Sequence, residues 1–318
     1  MLIGNCDARA SFGKLWARTF SPDIAGQVLT KFQPKQLILL LSMGLGLTTV
    51  GHDLRILAVS FCVFVIGSSA FAQGGPPYYT NDPGTPGPRN WEINLGYLPF
   101  FYSDQSVAHT PDVDINFGIG DRIQLTYENA WLRVHDLPAS ARFGLGQSNF
   151  GVKWRFYDAG EDGWSIATFP QGFVNNPNDS VRRGITPQSN SFLLPFEFSH
   201  KVGPVDVNFE VGYNFVHEGA SGWLTGVVAG HNFSPKLEAD VEFYSTSTYN
   251  PYQSQPTLEL GGRYRIHRPI VILLMAGRGV EPASPIHPYF VGYFGVQLLL
   301  PPKSYDTDNP SPPSHPDP

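Results

Sequence analysis

The sequence VDVNFEVGYNF, from Val205 to Phe215, alternates apolar and polar residues without a break. Its odd-numbered residues are all apolar, and its even-numbered residues are Asp, Asn, Glu, Gly and Asn. This period of two predicts a β-strand with one apolar and one polar face. The stretch is longer than the roughly five or six residues that are usual for strands of soluble proteins. It therefore predicts a long amphipathic strand whose apolar face needs a partner.

The same alternation recurs along the chain, and no window after residue 73 has a helical period. It predicts an all-β fold of about twelve strands. Their expected ranges are 89–102, 110–118, 121–134, 146–157, 163–173, 191–201, 204–216, 222–231, 236–245, 257–266, 269–278 and 288–299.

Two architectures would bury the apolar faces of such strands. In a β-sandwich they would pack on each other, whereas in a membrane barrel they would face lipid and the charges would line the interior. Several predicted strands reach the roughly 9–11 residues needed to cross a bilayer. Aromatic residues near strand ends, such as Trp91, Trp131 and Tyr244, are typical of membrane interfaces. We predict a transmembrane antiparallel up-and-down β-barrel over residues 89–300, with a soluble periplasmic ligand-binding sandwich as the alternative.

The joins between the predicted strands differ in length in an alternating way. Short joins such as Gly118–Asp121 and Val202–Gly203 are interspersed with longer ones such as Val174–Asn190. Outer-membrane barrels show this asymmetry, because their periplasmic turns are tight and their external loops are larger. An even number of strands would also leave both ends of the barrel on the periplasmic side.

Residues 1–72 have the features of an export signal. Arg55 precedes an apolar run from Ile56 to Gly67, and the sequence Ala70–Ala72 has the A-x-A form that precedes cleavage. The run is shorter than the roughly 20 residues of a transmembrane helix. A helical hairpin anchor built with the earlier apolar patch Leu37–Val50 is the competing interpretation, and Met43 is a candidate for the true start.

The regions that flank the predicted barrel are irregular. Residues 73–88 are rich in Gly and Pro and are predicted to form a collar at the periplasmic rim. The tail 301–318 is rich in Pro, Ser and Asp and is predicted to be disordered. Cys6 and Cys62 are the two cysteines of the chain, so removal of residues 1–72 would leave no thiol for a disulfide or a metal.

The polar faces of the predicted strands carry an excess of acidic residues. We predict that these faces line the lumen and form a narrow polar conduit that favours cations or neutral solutes. A plugged barrel, in which the same groups form ion pairs that support the fold, is the alternative. The lumen residues are predicted to be Glu92, Asp112, Asp114, Glu128, Lys153, Arg155, Glu197, Asp206, Glu210, Glu238, Asp240, Glu242, Glu259, Arg263 and Arg265.

The sequence does not predict an enzyme, a cofactor, a metal site or a nucleic-acid partner. His231 and Ser234 are of the types that form a base and a nucleophile, but they fall in a predicted short turn. The histidines lack the paired spacing of metal ligands, and Gly118-x-Gly120 does not precede a helical pattern. The net charge of -6 comes without the basic stripe that nucleic-acid binding requires.

The sequence TNDPGTPG at Thr80–Gly87, followed by WEIN at Trp91–Asn94, resembles the opening of a family of outer-membrane transporters. That family is described through the "MetA pathway of phenol degradation". Gly120–Leu125 is a looser match, and Asn81 stands where the family usually has Asp. The resemblance implies an outer-membrane barrel that passes small aromatic or apolar compounds, and it transfers no catalytic residues.

These observations together predict a passive channel or transporter in the outer membrane of a Gram-negative-type cell. Its expected partners are the lipid bilayer and a small-molecule solute. A structural or adhesive barrel without transport is the alternative, with external loops such as Val174–Asn190 binding a partner through Arg182 and Arg183.

Overall fold

The computed structural model of this chain describes residues 74–160, 163–175, 178–249 and 253–301. The predicted signal region, with Met43, and the predicted tail from residue 302 onward lie outside this part. None of the helices within these ranges has the length and apolar character required to cross a membrane.

The described residues form fourteen β-segments and one short helix. The helix α1 covers Asp179–Arg182. The segments are β1 Trp91–Phe101, β2 Gln105–Ile119, β3 Ile123–Asp136, β4 Arg142–Leu145, β5 Ser148–Asp158, β6 Ser165–Thr168, β7 Gln171–Val174, β8 Ser191–Val202, β9 Val205–Val216, β10 Gly222–Ser234, β11 Leu237–Thr248, β12 Gln253–His267, β13 Ile270–Gly279 and β14 Phe290–Leu300.

Two strands of the sheet are each interrupted once. β4 and β5 are separated by residues 146–147 and both pair with β3, while β6 and β7 are separated by residues 169–170 and both lie between β5 and β8. Pro170 has no backbone N–H to donate, which accounts for the second interruption. The fourteen segments therefore make twelve barrel strands, as the alternation predicted.

The sheet closes on itself, and every pairing in it is antiparallel. β1 pairs with β14 from Trp91 opposite Leu300 to Phe101 opposite Phe290. Closure pairs the edge strands, which lipid would otherwise leave with unsatisfied N–H and C=O groups at several kcal/mol each. The predicted up-and-down barrel is confirmed, and the two packed sheets of a sandwich do not form.

Some strands extend further than the sequence predicted. Residues 105–109 and 246–248 were expected in long joins, but they belong to β2 and β11 and continue the paired hairpins. Their side chains are largely polar and do not alternate, so the apolar signal ends before the backbone ladder does. The longest joins, 175–190 and 280–289, lie at the same end of the barrel, which we call the loop end. The opposite end is the short-turn end.

The barrel is apolar outside and polar inside. Leu260 is 66% exposed and Phe294 is 58% exposed, whereas Glu197 and Glu242 are 0% exposed. Soluble proteins almost never bury carboxylates while exposing such a large aromatic and aliphatic surface. The distribution fits a barrel whose outer surface contacts acyl chains.

Candidate functional site: the lumen and its inner segment

The predicted lumen residues differ in burial. The structure buries ten of the fifteen: Asp112, Lys153, Glu197, Asp206, Glu210, Glu238, Asp240, Glu242, Glu259 and Arg263. Glu92, Asp114, Glu128 and Arg155 are half-buried. Arg265 is exposed near the end of β12, on the same face of the strand as the buried Arg263. That any of them lines a permeation path remains a prediction.

The chain before β1 enters the barrel and binds carboxylates of its wall. We call residues Gly74–Thr85 the inner segment. The Thr80 and Tyr79 backbone N–H groups donate to the Glu242 carboxylate at 2.6 and 3.2 Å, and the Asn81 N–H donates to Glu210 at 2.7 Å. Consecutive backbone donors therefore satisfy carboxylates of β9 and β11 that would otherwise be buried without partners.

Arg263 and Lys153, the buried bases among the predicted lumen residues, donate hydrogen bonds to backbone carbonyl oxygens of the inner segment. The Arg263 guanidinium pairs with Glu238 and donates to the carbonyl oxygens of residues 74–76 at 2.8–3.1 Å. The Lys153 ammonium donates to the Asp82 carbonyl oxygen at 2.5 Å and lies 3.3 Å from a Glu197 oxygen. Hydrogen bonds from charged donors are stronger than neutral ones, so these contacts fix the segment's path.

Glycines in the barrel wall make room for the segment. A Cβ atom on Gly226 would lie 2.0 Å from the Thr80 hydroxyl oxygen, and one on Gly118 would lie 1.8 Å from the Gly87 carbonyl oxygen. Both distances are far below van der Waals contact. The wall therefore accepts the inner segment closely at Gly226, and at Gly118 it accepts the chain two residues after the segment.

Two tyrosines of the inner segment are held neutral. Burial, together with nearby Asp240, raises the pKa of Tyr78 far above its ordinary value, and burial together with Glu242 does the same to the pKa of Tyr79. The Tyr78 hydroxyl donates to the backbone carbonyl of Asp240 at 3.2 Å. A protonated phenol keeps this donor at any physiological pH.

The sequence predicted residues 73–88 at the rim. The structure instead gives residues 74–82 hydrogen bonds to buried lumen side chains, whereas Thr85 donates to the Asp121 carbonyl oxygen at the short-turn rim. Glycine and proline do indicate an irregular segment. Its partners on β9, β11 and β12, however, lie about 130 or more residues away in the sequence, and Lys153 on β5 lies 71 residues from Asp82. The signal that was available is the surplus of carboxylates on those strands, because buried carboxylates require donors from elsewhere.

Two cavities lie on either side of part of the inner segment. The inner cavity, of about 330 Å³, lies between the segment and polar residues of β1, β2 and β3. The second cavity, of about 370 Å³, lies at the short-turn end and is lined by residues that include Arg155, His200 and Lys201. Asp82, Gly84 and Thr85 line both cavities. The segment thus forms part of the boundary between them.

His231, which was considered as a catalytic base, contacts the backbone of the barrel. His231 lies in β10 near the short-turn end, where its Nδ1 atom is 2.7 Å from the Pro204 carbonyl oxygen. In the part of the chain that the structure describes, no group of three or more His, Cys, Asp or Glu residues is arranged to hold a metal ion.

Comparison with known proteins gives matches in structure and not in sequence. No protein-family model and no curated protein matches the chain. An outer-membrane channel from Pseudomonas putida F1 has 10% sequence identity and a TM-score of 0.55, with 72% of this chain and 100% of that chain covered. The KdgM porin (11% identity, TM-score 0.46, 64% and 98% covered) and the NanC porin (6%, 0.47, 66% and 99%) also match. At these identities the first match shows the barrel fold.

Proposed function

We propose that this protein is a passive outer-membrane channel for small solutes. The observation that carries the proposal is a closed, lipid-compatible barrel whose charged interior contains two cavities. The fold likeness to an outer-membrane channel from Pseudomonas putida F1 supports it. The sequence Thr80–Gly87, which resembles the opening of the phenol-degradation transporter family, lies largely within the inner segment, so the resembling residues fall in the lumen.

The charge of the interior favours cations or neutral solutes over anions. Eleven acidic and four basic residues were predicted to face the lumen, and the two most buried bases, Lys153 and Arg263, are paired with Glu197 and Glu238. A low-dielectric wall strengthens the field of the remaining carboxylates along the path. Anions would meet a repulsive potential.

Aromatic side chains of the inner cavity favour solutes that carry a ring. Tyr79, Tyr244, Tyr293 and Phe173 all line this cavity. Flat aromatic faces bind apolar rings by offset or edge contacts. This agrees with the small aromatic compounds that the family resemblance implies.

A barrel without transport is the second candidate function. The inner segment and its hydrogen bonds to Glu210, Glu242, Lys153 and Arg263 occupy part of the lumen. If the segment never moves, the same contacts only support the fold.

Conductance of the reconstituted protein tests the proposal. Inserted into a planar bilayer under a KCl gradient, the barrel is expected to conduct, with a reversal potential that reports K⁺ preference, because the interior is acidic. Protein unfolded by heat before reconstitution is the control. Chloride preference would refute the charge argument. Absence of current from protein with heat-modifiable gel migration would overturn the channel in favour of the structural barrel.

A further inference from the structure

We infer that the inner cavity binds a small organic cation, with its ammonium group among Glu92, Asp112, Asp114 and Glu128. The inference rests on the proposed channel and names the class of solute that the channel would take. The cavity measures about 330 Å³. That volume lies at the lower end of the roughly 300–1,000 Å³ of small-molecule sites.

The wall that β1, β2 and β3 contribute to the cavity carries four acidic side chains. Within the described residues, no lysine or arginine lies within 4.0 Å of the carboxylates of Glu92, Asp112, Asp114 or Glu128. A histidine, His109, lies beside them, with its Nδ1 atom 3.7 Å from Asp112 Oδ1. Glu92, Asp114 and Glu128 each accept hydrogen bonds from neutral amide groups of Asn94, Asn116 or Asn149. These donors carry no charge, so the acidic wall has hydrogen-bond partners but no matching lysine or arginine.

The lumen's own cations are engaged elsewhere. Lys153 also lines the cavity, but its ammonium group is held by Glu197 and the Asp82 carbonyl oxygen. Arg263 is held by Glu238 and the inner segment. Neither cation therefore pairs with the wall of β1, β2 and β3, and a bound cationic solute would complement its charge.

Two buried oxygen atoms near this wall, Asn149 Oδ1 and Asp114 Oδ1, lack hydrogen-bond donors among the described residues. Asn149 lines the cavity and is 4% exposed. Its amide nitrogen donates to Glu128 and Gln171 at 3.0 and 2.8 Å, which fixes the orientation of the amide. Among the described residues the Asn149 Oδ1 atom then has no donor, and Asp114 Oδ1 has none either.

These unsatisfied acceptor atoms indicate which hydrogen-bonding groups a ligand would need. Buried acceptors that lack donors are costly and call for a partner. An ammonium group offers three N–H donors and no acceptor, which matches a wall of carboxylate and amide oxygens. A neutral alcohol offers one donor, and a carboxylate ligand offers none.

Aromatic side chains also line the inner cavity. Tyr79 and Tyr244 have ring centroids 5.2 Å apart, and both line the cavity together with Tyr293. Such rings bind the apolar body of an amine and attract its charge by cation–π interaction. Since no described acidic group has the arrangement of a metal site, an organic cation fits better than a metal ion.

Binding of three probes that share one ring tests the inference. 2-Phenylethylamine, 2-phenylethanol and phenylacetate are titrated into the detergent-solubilised barrel at neutral pH by calorimetry. The amine is expected to bind about tenfold or more tightly than the alcohol, because its charge and extra donors match the wall. Phenylacetate is expected to bind most weakly. If the alcohol or the acid binds as tightly as the amine, the inference is overturned.

Charge-removing variants locate the site. In D114N/E128Q, the amine is expected to lose its advantage over the alcohol. E218Q/E281Q loses the same charge from the exposed loop-end joins 217–221 and 280–289, and its amine affinity should stay within about twofold. Heat-modifiable migration checks that each variant is folded. Unchanged amine binding in D114N/E128Q, or an equal loss in the control, would contradict the site.

The conductance measurement separates this inference from the channel proposal. A barrel that conducts KCl but does not prefer the amine overturns the binding site alone. A barrel that prefers the amine but carries no current supports the binding site and overturns the channel.

Discussion

A chain lacking residues 74–85 is expected to conduct several-fold more current than the full barrel. The inner segment lies among the lumen side chains and forms part of the boundary between the two cavities. Its removal joins the cavities and opens to water the hydrogen-bonding groups of Arg263 and Lys153 that now bind the segment. Single-channel recording in planar bilayers measures the change, and the conductance of the intact chain is the reference.

A point variant reaches the same test without a deletion. A Cβ on Gly226 would lie 2.0 Å from the Thr80 hydroxyl, so G226V should displace the segment, raise the conductance and speed chymotrypsin cleavage at Tyr78 and Tyr79. G172V is the matched control, because a Cβ on Gly172 meets no atom within 4 Å. Conductance that is unchanged in both the deletion and G226V would show that the segment does not restrict the path.

Replacing Arg263 by alanine is expected to lower the free energy of unfolding by about 3–5 kcal/mol, the cost of leaving a buried charge without its partner. Arg263 is 6% exposed and pairs with Glu238, and it also donates to the carbonyl oxygens of residues 74–76. The variant leaves Glu238 and these carbonyls in the lumen without the guanidinium. Urea unfolding of the barrel in lipid vesicles, followed by tryptophan fluorescence, measures the loss.

Two further substitutions separate charge from geometry. R263K keeps the charge but offers a single nitrogen to acceptors spread around the guanidinium, so an intermediate loss is expected. R265A removes an exposed arginine two positions along β12 and should change stability by no more than about 0.5 kcal/mol. Equal losses in R263A and R265A would contradict a specific role for the inner segment's cation contacts.

The sequence was sufficient for the barrel wall because the wall follows a local rule. The alternation of Val205–Phe215 predicts β9, which the structure gives as Val205–Val216. The same rule identified the polar face, including Glu210 and Glu242, because a strand side chain's face depends on its position in the pleat. It also puts Arg265 on the face of Arg263, and the structure leaves Arg265 exposed near the end of β12.

The inner segment could not be located from local patterns. Gly, Pro and Asn residues indicate only that a segment does not join the hydrogen-bonded ladder of a β-sheet. Whether such a segment stays at the rim or enters the lumen depends on donors and acceptors contributed by distant strands, such as Glu242 and Arg263. Likewise, the sequence could not show that Lys153 and Arg263 pair with other carboxylates and not with Glu92, Asp114 and Glu128. The structure was needed to place these cations.

Spin labels along β12 test whether the apolar faces of the strands contact lipid while the charged faces point inward. The chain from residue 73 onward has no cysteine, so single cysteines at Leu258, Glu259 and Leu260 can be labelled in refolded, reconstituted protein. Leu258 and Leu260 are 51% and 66% exposed, and Glu259 is 1% exposed. High collision rates with oxygen dissolved in the bilayer are expected at the two leucine positions, and a low rate is expected at position 259. Equal rates at all three positions, or the reverse order, would contradict this orientation.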